Sequence, residues 1–580
     1  MRKGYAWAAV LFGLLLGLAD AAVLHFNILF ARWGVPEMPP TIWAVTPLVW
    51  IALTLVTAMI VRRLPIAFGL AAMLLLLFRV AVPLRRAWLA EDRFTKLFPY
   101  ATELIALAVV ALLMLPLLWL AHRYGPRLQD AAHRLRLALA TLVVVAVVAI
   151  VVSRWPSSVE RPRRTAKADA PNIVLIFLDT QRYDTSSLRN PQSHLSQLAR
   201  SGVSYTRAFA PQPWTLPSHV AVVTGLPATR LPIDYERSQY AGTAPTLAET
   251  LGPRGYTTAA ILANPILGAR TNFERGYQIV QVSKNDHDLC RTAPFEVLGR
   301  FMKVPGCGAA GCSWTAPEVT ERATALLARL PRPYFLTLNY MDAHTPYYVP
   351  RECRPAGFQP FDAVRDAQPL YRVNRTGEAV PENTLQRILR AYAAATDCVD
   401  RAMGDLFAAI RARGENTIIA VVGDHGEQFG EHAVSMHGNS VYRQVMQVPL
   451  VVAGAGVTPR GTDATPIDIT ALHSMLLSRT VPTGPVIGRY QSPRDRSHLA
   501  PRFHRSVWSV IAEDHHLLAY DDGGVELYAL SDIAERHDLA ATNAPVRERL
   551  MALAAQARAE HARHAQATGE EKLRSLPYLR

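Results

Sequence analysis

The sequence predicts a two-part chain: an N-terminal α-helical transmembrane bundle of about five spans, followed by an α/β domain in which helices are layered on a sheet. Three observations carry that expectation. Near-continuous apolar runs occupy about residues 6–30, 41–61, 65–84, 99–122 and 134–153, each close to the roughly 20 residues that an α-helix needs to cross a bilayer. A polar, basic, proline-containing stretch, SRWPSSVERPRRTAKADAP, then breaks the apolar pattern and reads as a linker. From residue 171 onward, β-rich apolar runs alternate with helical patterns.

The first apolar run begins like a signal peptide, with a basic start and small residues after its core. It continues to Phe30 and four more runs follow, so an uncleaved anchor is expected. If the spans alternate, Arg2 and Lys3, Arg62 and Arg63, and the basic residues of HRYGPRLQDAAHRLRL share one side, which the positive-inside rule makes cytoplasmic. Arg85, Arg86, Arg93 and Lys96 fall on the other side. An odd number of spans exports everything after Ser153, giving a multi-pass protein of a bacterial-type inner membrane with its α/β domain on the periplasmic side. Asp20, Arg79 and Glu103 sit in or near the apolar runs, where ionisable groups are expensive; they either lie at the interface and pair, or help hold a lipid head group.

Half of the 580 residues are hydrophobic and the formal net charge is +14. The linker and the juxtamembrane arginines account for part of that charge. No basic-aromatic interleaving favours nucleic acid over an anionic membrane surface, so the expected partners are a membrane and a small ester substrate, with no nucleic acid. All five cysteines, Cys290, Cys307, Cys312, Cys353 and Cys398, follow residue 153. Cys307 and Cys312 form a plausible short-loop pair, and the odd count leaves at least one thiol over.

The expected domains are 1–153 (transmembrane), 154–170 (linker), 171–545 (α/β) and 546–580 (an exposed helix and tail). Within the α/β part, NIVLIFLD, TTAAILA, YFLTLNY and NTIIAVVGD read as buried strands, and residues 192–201, 245–252, 316–330 and 383–413 as helices. Ligands of open α/β sheets bind beyond the carboxyl ends of the strands. Two runs end in that way with metal-ligand chemistry, one at Asp179 and one at Asp424 and His425. An Asp after a strand is usually a turn or cap residue; two such strands, one with an adjacent His, suit a divalent cation, Zn or Mn in preference to Ca.

A further ligand would be a reacting oxygen. APQPWTLPSHVAVVTG places Thr215 as the N-cap of a helix with Pro217 in its first turn and Gly225 as its C-cap. The same position suits a nucleophile, because orphan N–H groups and the helix dipole favour an anion there and a bound cation can activate the hydroxyl. Asp342 and His344 close another strand-like run, and His437 lies between the Asp424 motif and the next strand. They read as donors to nonbridging oxygens or as a general acid, or alternatively as ligands of a second metal. Arg182 and His219 are further candidates for the same anion.

The motifs PNIVLIFLDTQRYDTSSL, PWTLPSHVAVVTGLPATR, MDAHTPYY, GDHGEQFGEH, HGNSVYRQVMQVPLVVAGAGV and VELYALSDIAERHDLA follow one another in an order that resembles the sulfatase family of the alkaline phosphatase superfamily, over about residues 171–540. The resemblance implies a central mixed sheet between helices and a smaller C-terminal subdomain starting near 455–500. It implies that Asp179, Asp424 and His425 are metal ligands, Thr215 the nucleophile, and His344 and His437 the residues that bind the transferred group. The chain departs from the family where Cys or Ser is converted to formylglycine, since Thr215 stands there; where Arg follows four residues later, since His219 stands there; and at the second of two consecutive Asp, since Thr180 stands there. No formylglycine is therefore expected. A Thr nucleophile is similar to that of nucleotide pyrophosphatase/phosphodiesterases, and five spans before an exported domain resemble phosphoethanolamine transferases and lipoteichoic acid synthases. The expectation is a membrane-anchored metalloenzyme acting on a phosphoric or sulfuric ester, of a lipid head group or an envelope glycan, through a phospho-Thr intermediate on Thr215. The alternatives are a sulfatase working without formylglycine, and a non-catalytic membrane sensor or scaffold with a degenerate domain.

Overall fold

A computed structural model describes residues 170–235, 238–268, 271–283, 314–358, 366–493 and 500–567, with short stretches among residues 10–18 and 47–55. The chain divides into two compact units, residues 1–158 with 284–312, and residues 159–283 with 313–580.

The expectation of a transmembrane bundle is overturned: among the described residues no helix is long and apolar enough to cross a membrane. A crossing needs an unbroken apolar helix of about 20 residues, because every backbone N–H and C=O must be paired inside it. Most of the five runs, with Asp20, Arg79 and Glu103, lies outside the described residues. The fold class is thus the α/β domain without the five-span bundle, and a multi-pass inner-membrane location with a periplasmic domain is not supported. Cys290, Cys307 and Cys312 also lie outside the described residues; the disulfide that is seen joins Cys353 to Cys398.

The second unit is built on one mixed sheet. Its strands are β1 (Asn172–Leu178), β2 (Gly202–Phe209), β3 (Thr257–Leu262), β4 (Ile279–Val282), β5 (Tyr334–Tyr340) and β6 (Thr417–Gly423), then β9 (Gln447–Gly454), β10 (Gly461–Asp463) and β11 (Ile467–Asp468) after a short hairpin, β7 (Gln428–Phe429) with β8 (Ser435–Met436). The order is β10-β2-β9-β6-β1-β5-β3-β4, with β11 also on β2. β1 runs parallel to both β5 and β6, and β9 is antiparallel to β6 and β2. Every residue of β1 is buried, and the strand's alternation divides the core. Ile173, Leu175 and Phe177 face the helices Thr215–Thr224, Leu247–Leu251 and Ala471–Ser478; Val174, Ile176 and Leu178 face His194–Arg200, Ala316–Leu327 and Glu382–Ala412. The four expected strands and four expected helices are all present, within a few residues of their expected bounds.

A second sheet, antiparallel, orders β12 (Val486–Tyr490), β13 (Val507–Ala512), β14 (His515–Tyr520) and β15 (Val525–Ala529). One face packs on Phe209, Val441 and Met446 of the larger part, the other on Leu550 and Ala554 of the helix Ala544–Ala567. That helix, expected to be exposed, therefore buries one side.

Candidate active site

Sheet register assembles the site. Leu178 pairs with Tyr340 on one side and Gly423 on the other, and Asn339 pairs with Leu262. The carboxyl ends of four neighbouring parallel strands therefore deliver Asp179, Asn339, Asn264 and Asp424 to one place. Asp179, Asp424 and His425 are fully buried and offer ligand atoms within 4.8 Å of one another.

The hydrogen bonds leave this cluster with one oxygen of each carboxylate held and the other bare. Asp179 Oδ2 accepts from Asn264 Nδ2 at 2.8 Å and Asn339 Nδ2 at 3.4 Å. Asp424 Oδ1 accepts the backbone N–H groups of Thr180 at 3.1 Å and His425 at 2.7 Å. Asp179 Oδ1 and Asp424 Oδ2 are buried without a hydrogen-bond partner, a costly state unless a cation meets them. His425 donates from Nδ1 to the Gly426 carbonyl at 3.0 Å, which turns the Nε2 lone pair toward the carboxylates, the orientation of a metal-ligating imidazole. Burial, and then the neighbouring His437 charge, push its pKa down to about 3 against the pull of Asp179, so the ring is neutral as a ligand must be. The donor set thus fits a divalent cation. Gly426 makes the turn possible, since a Cβ there would run into the Gln444 carbonyl oxygen.

Thr215 joins this cluster: its Oγ1 lies 3.3 Å from His425 Nε2. It is the first residue of the helix Thr215–Thr224 rather than its N-cap, which is Trp214, a residue that makes no side-chain cap bond. Gly225 ends the helix in the left-handed conformation, as expected. His219, one turn after Thr215, donates from Nδ1 to the Thr215 carbonyl at 2.9 Å, accepts at Nε2 from Asn339 at 3.3 Å, and stacks on Phe177. Its Nδ1 also lies 3.3 Å from Asp424 Oδ2, so the ring braces the Thr215 backbone beside the carboxylate cluster, with both ring nitrogens engaged within the protein.

The other sequence candidates separate. The His437 ring lies 4.5 Å from that of His425 and 4.9 Å from that of His344, so the three imidazoles line one wall. His344 donates from Nδ1 to the Thr345 carbonyl at 2.7 Å. His437 Nδ1 is 3.0 Å from Glu427 Oε1; burial alone would lower its pKa, and the Glu427 carboxylate more than offsets that and holds it above the ordinary histidine value. Arg182 is pinned by Asp184 and Glu431, each at 2.7 Å, and by the Glu427 carbonyl at 3.1 Å, which makes it a brace for the loop behind the site. Asp342 sits under the helix Ala316–Leu327, accepting the Ala316 N–H at 2.9 Å; burial raises its pKa to about 7.

Sequence reasoning did not single out Asn264, Asn339 and Glu427. Asn264 and Asn339 stand where apolar strand runs end, the same signal that singled out Asp179. Glu427 accepts from Tyr347 Oη at 3.2 Å as well as facing His437, and is fully buried.

Two carboxylates with a bare oxygen each, a neutral imidazole and a hydroxyl at the head of a helix, all at the carboxyl ends of a mixed sheet, define a hydrolase of the alkaline phosphatase superfamily. The chain belongs to the sulfatase family, whose model, described as Sulfatase, matches residues 171–480. It is 26% identical over 313 residues to iduronate 2-sulfatase of Mus musculus, a match that covers 46% of this chain and 56% of that one. The chain thus spans about half the length of that curated relative. Among solved structures, phosphonate monoester hydrolase of Agrobacterium radiobacter superposes with a TM-score of 0.53 at 18% identity, covering 68% of this chain and 96% of the other. A structure in complex with its substrate D-glucosamine-2-N,6-O-disulfate does so with a TM-score of 0.52 at 15% identity, covering 68% and 98%. These two likenesses concern the fold.

Proposed function

We propose that the chain is a metal-dependent esterase that cleaves phosphate monoesters or diesters by way of a covalent phospho-Thr intermediate on Thr215. The observation that carries this reading is the contact of Thr215 Oγ1 with a neutral His425 Nε2 that itself faces two unpartnered carboxylate oxygens. Asp179, Asp424, His425 and Thr215 would hold the cation, Zn or Mn by the mixture of oxygen and nitrogen donors; when bound it supplies positive charge that acidifies the hydroxyl and steadies the developing anion.

The remaining steps belong to side chains of this chain. Thr215 Oγ forms a bond to phosphorus while the bond to the ester oxygen breaks, and the hydroxyl proton passes to solvent. His437, whose protonated form Glu427 favours, gives a proton to the departing oxygen, and His344, with Nδ1–H held by the Thr345 carbonyl, donates to a nonbridging oxygen from Nε2 when its ring is doubly protonated. The N–H groups at the head of the helix Thr215–Thr224 face the bound anion. Water then attacks the phosphorus of the phospho-Thr, breaking its bond to Thr215 Oγ, which restores the hydroxyl and releases phosphate from a monoester substrate or a phosphate monoester from a diester.

A second reading is sulfate-ester hydrolysis on the same residues, favoured by the match to the Sulfatase model and to a relative named iduronate 2-sulfatase. One experiment separates the two. The chain is incubated with an aryl phosphate and with an aryl sulfate, quenched with acid, and its Thr215 peptide analysed by mass spectrometry. A phosphoryl adduct on Thr215 is expected; sulfate release with Thr215 unmodified would replace the first reading with the second.

A further inference from the structure

Thr180 follows the cation ligand Asp179, is fully buried and has a left-handed φ of 58°. A β-branched residue rarely takes that conformation, which persists only where the surroundings impose it. Its hydroxyl turns back to donate to the Asp179 carbonyl at 2.7 Å, so what the residue offers the site is its backbone. The Thr180 N–H donates to Asp424 Oδ1 at 3.1 Å. Together with the His425 N–H on the same oxygen, it leaves Asp424 Oδ2, which has no hydrogen-bond partner, to a cation.

The group that imposes the turn comes from far along the chain. Tyr392, on the helix Glu382–Ala412, is fully buried; its Oη donates to the Thr180 carbonyl at 2.8 Å and accepts the Arg182 N–H at 3.0 Å. One phenol oxygen therefore closes the turn from both ends. The ring is wedged edge-on against Tyr347 and Phe429, with centroids 5.7 and 5.1 Å away, which keeps the hydroxyl aimed at the turn. Burial pushes its pKa well above the ordinary tyrosine value, so the hydroxyl keeps the proton that it donates. With its carbonyl held in this way, Thr180 cannot return to the commoner right-handed region without giving up a buried hydrogen bond, and the direction of its N–H follows. Resting on the cation site of the reading above, we infer that Tyr392 is a positioning residue of the metal centre: it locks Thr180 in a strained turn, so that the Thr180 N–H holds Asp424 Oδ1 and presents Oδ2 to the cation.

The test titrates Mn²⁺ into the full-length chain, freed of metal by chelation and dialysis, and follows binding by the loss of the electron paramagnetic resonance signal of free Mn²⁺. Tyr392→Phe keeps the ring and removes only the hydroxyl; its Kd for Mn²⁺ should rise by about tenfold or more. Glycine takes a left-handed φ without strain and has no need of the lock. The double variant Tyr392→Phe, Thr180→Gly should therefore recover most of the lost affinity. A phenol with a merely structural role would instead lower the Tm of the metal-free chain and leave the Kd where it was. An unchanged Kd in folded Tyr392→Phe, or a loss of affinity that Thr180→Gly does not relieve, overturns the lock while leaving the cation site standing. An unmodified chain that is folded by circular dichroism and binds no Mn²⁺ removes the cation site itself, and the lock with it.

Discussion

Two buried polar networks in this molecule contain the ingredients of hydrolytic chemistry, and they differ in what they leave undone. In the C-terminal sheet Ser509 Oγ lies 2.7 Å from His516 Nε2, His516 Nδ1 lies 2.5 Å from Glu535 Oε1, and Glu535 Oε2 accepts the Arg443 N–H at 2.8 Å. All three side chains are buried. By residue type this is a nucleophile, a base and an orienting carboxylate, yet both imidazole nitrogens and both carboxylate oxygens are engaged and no surface reaches the serine. At the end of β1 and β6 the opposite holds: Asp179 and Asp424 each keep one oxygen without a hydrogen-bond partner in a site just as buried, with that of Asp424 facing the His219 and His425 rings at 3.3 and 3.4 Å. A closed network fastens two parts of a fold together; an open one is waiting for a ligand.

Substitutions should pull the two networks apart. The largest effect is expected from Thr215→Ala, which should lower kcat on an aryl phosphate by on the order of 10⁴-fold or more with an unchanged circular dichroism spectrum; substantial residual turnover would move the nucleophile elsewhere. Chelation should come next, abolishing turnover and lowering Tm as the two bare carboxylates lose their cation, with both restored by Zn or Mn. An unaltered Tm on chelation would show that the open network holds no metal. His516→Leu should do the reverse, costing about 3 kcal/mol of stability by leaving a buried carboxylate without its partner, while turnover at a permissive temperature stays at the unmodified level. Loss of turnover in the folded variant would mean that the closed network reaches the active site.

The smallest effect concerns Asp342, which lies between the two extremes, with Oδ1 paired and Oδ2 not. Burial raises its folded pKa to about 7, above that of the unfolded chain. The stability it contributes is therefore fully present below the unfolded value, near 4, and lost as pH rises through about 7. Asp342→Asn keeps the acceptor for the Ala316 N–H, so its Tm relative to the unmodified chain should climb between about pH 4 and pH 7; a flat difference would show that the carboxyl is solvated.

Much of the second unit was legible because its strands are buried on both faces, so that NIVLIFLD, YFLTLNY and NTIIAVVGD stand out as unbroken apolar runs. The polar residues that end them include Asp179 and Asp424. What could not be read is whatever depends on register between strands far apart in sequence. That Asn264 and Asn339 converge on Asp179 follows from β3 and β5 lying in line beside β1, which no local pattern states. Arg182 and Asp342 carry the chemistry of a substrate site, but their neighbours Glu431, Asp184 and the head of the helix Ala316–Leu327 commit them to structure. The N-terminal reading failed differently. Among the described residues no helix is long and apolar enough to cross a membrane, and most of the five apolar runs lie outside those residues.

The pairing of Leu178 with Gly423 has a consequence for how such a chain can be altered. The cation ligands are addressed by their distance from strand ends, not by their distance along the chain, so lengths may change freely between strands while a single residue gained or lost inside β1 or β6 would turn Asp179 or Asp424 to the opposite face. A protein engineer seeking a place to insert a reporter or a binding module should therefore choose a loop between strands and leave the interiors of β1 and β6 untouched.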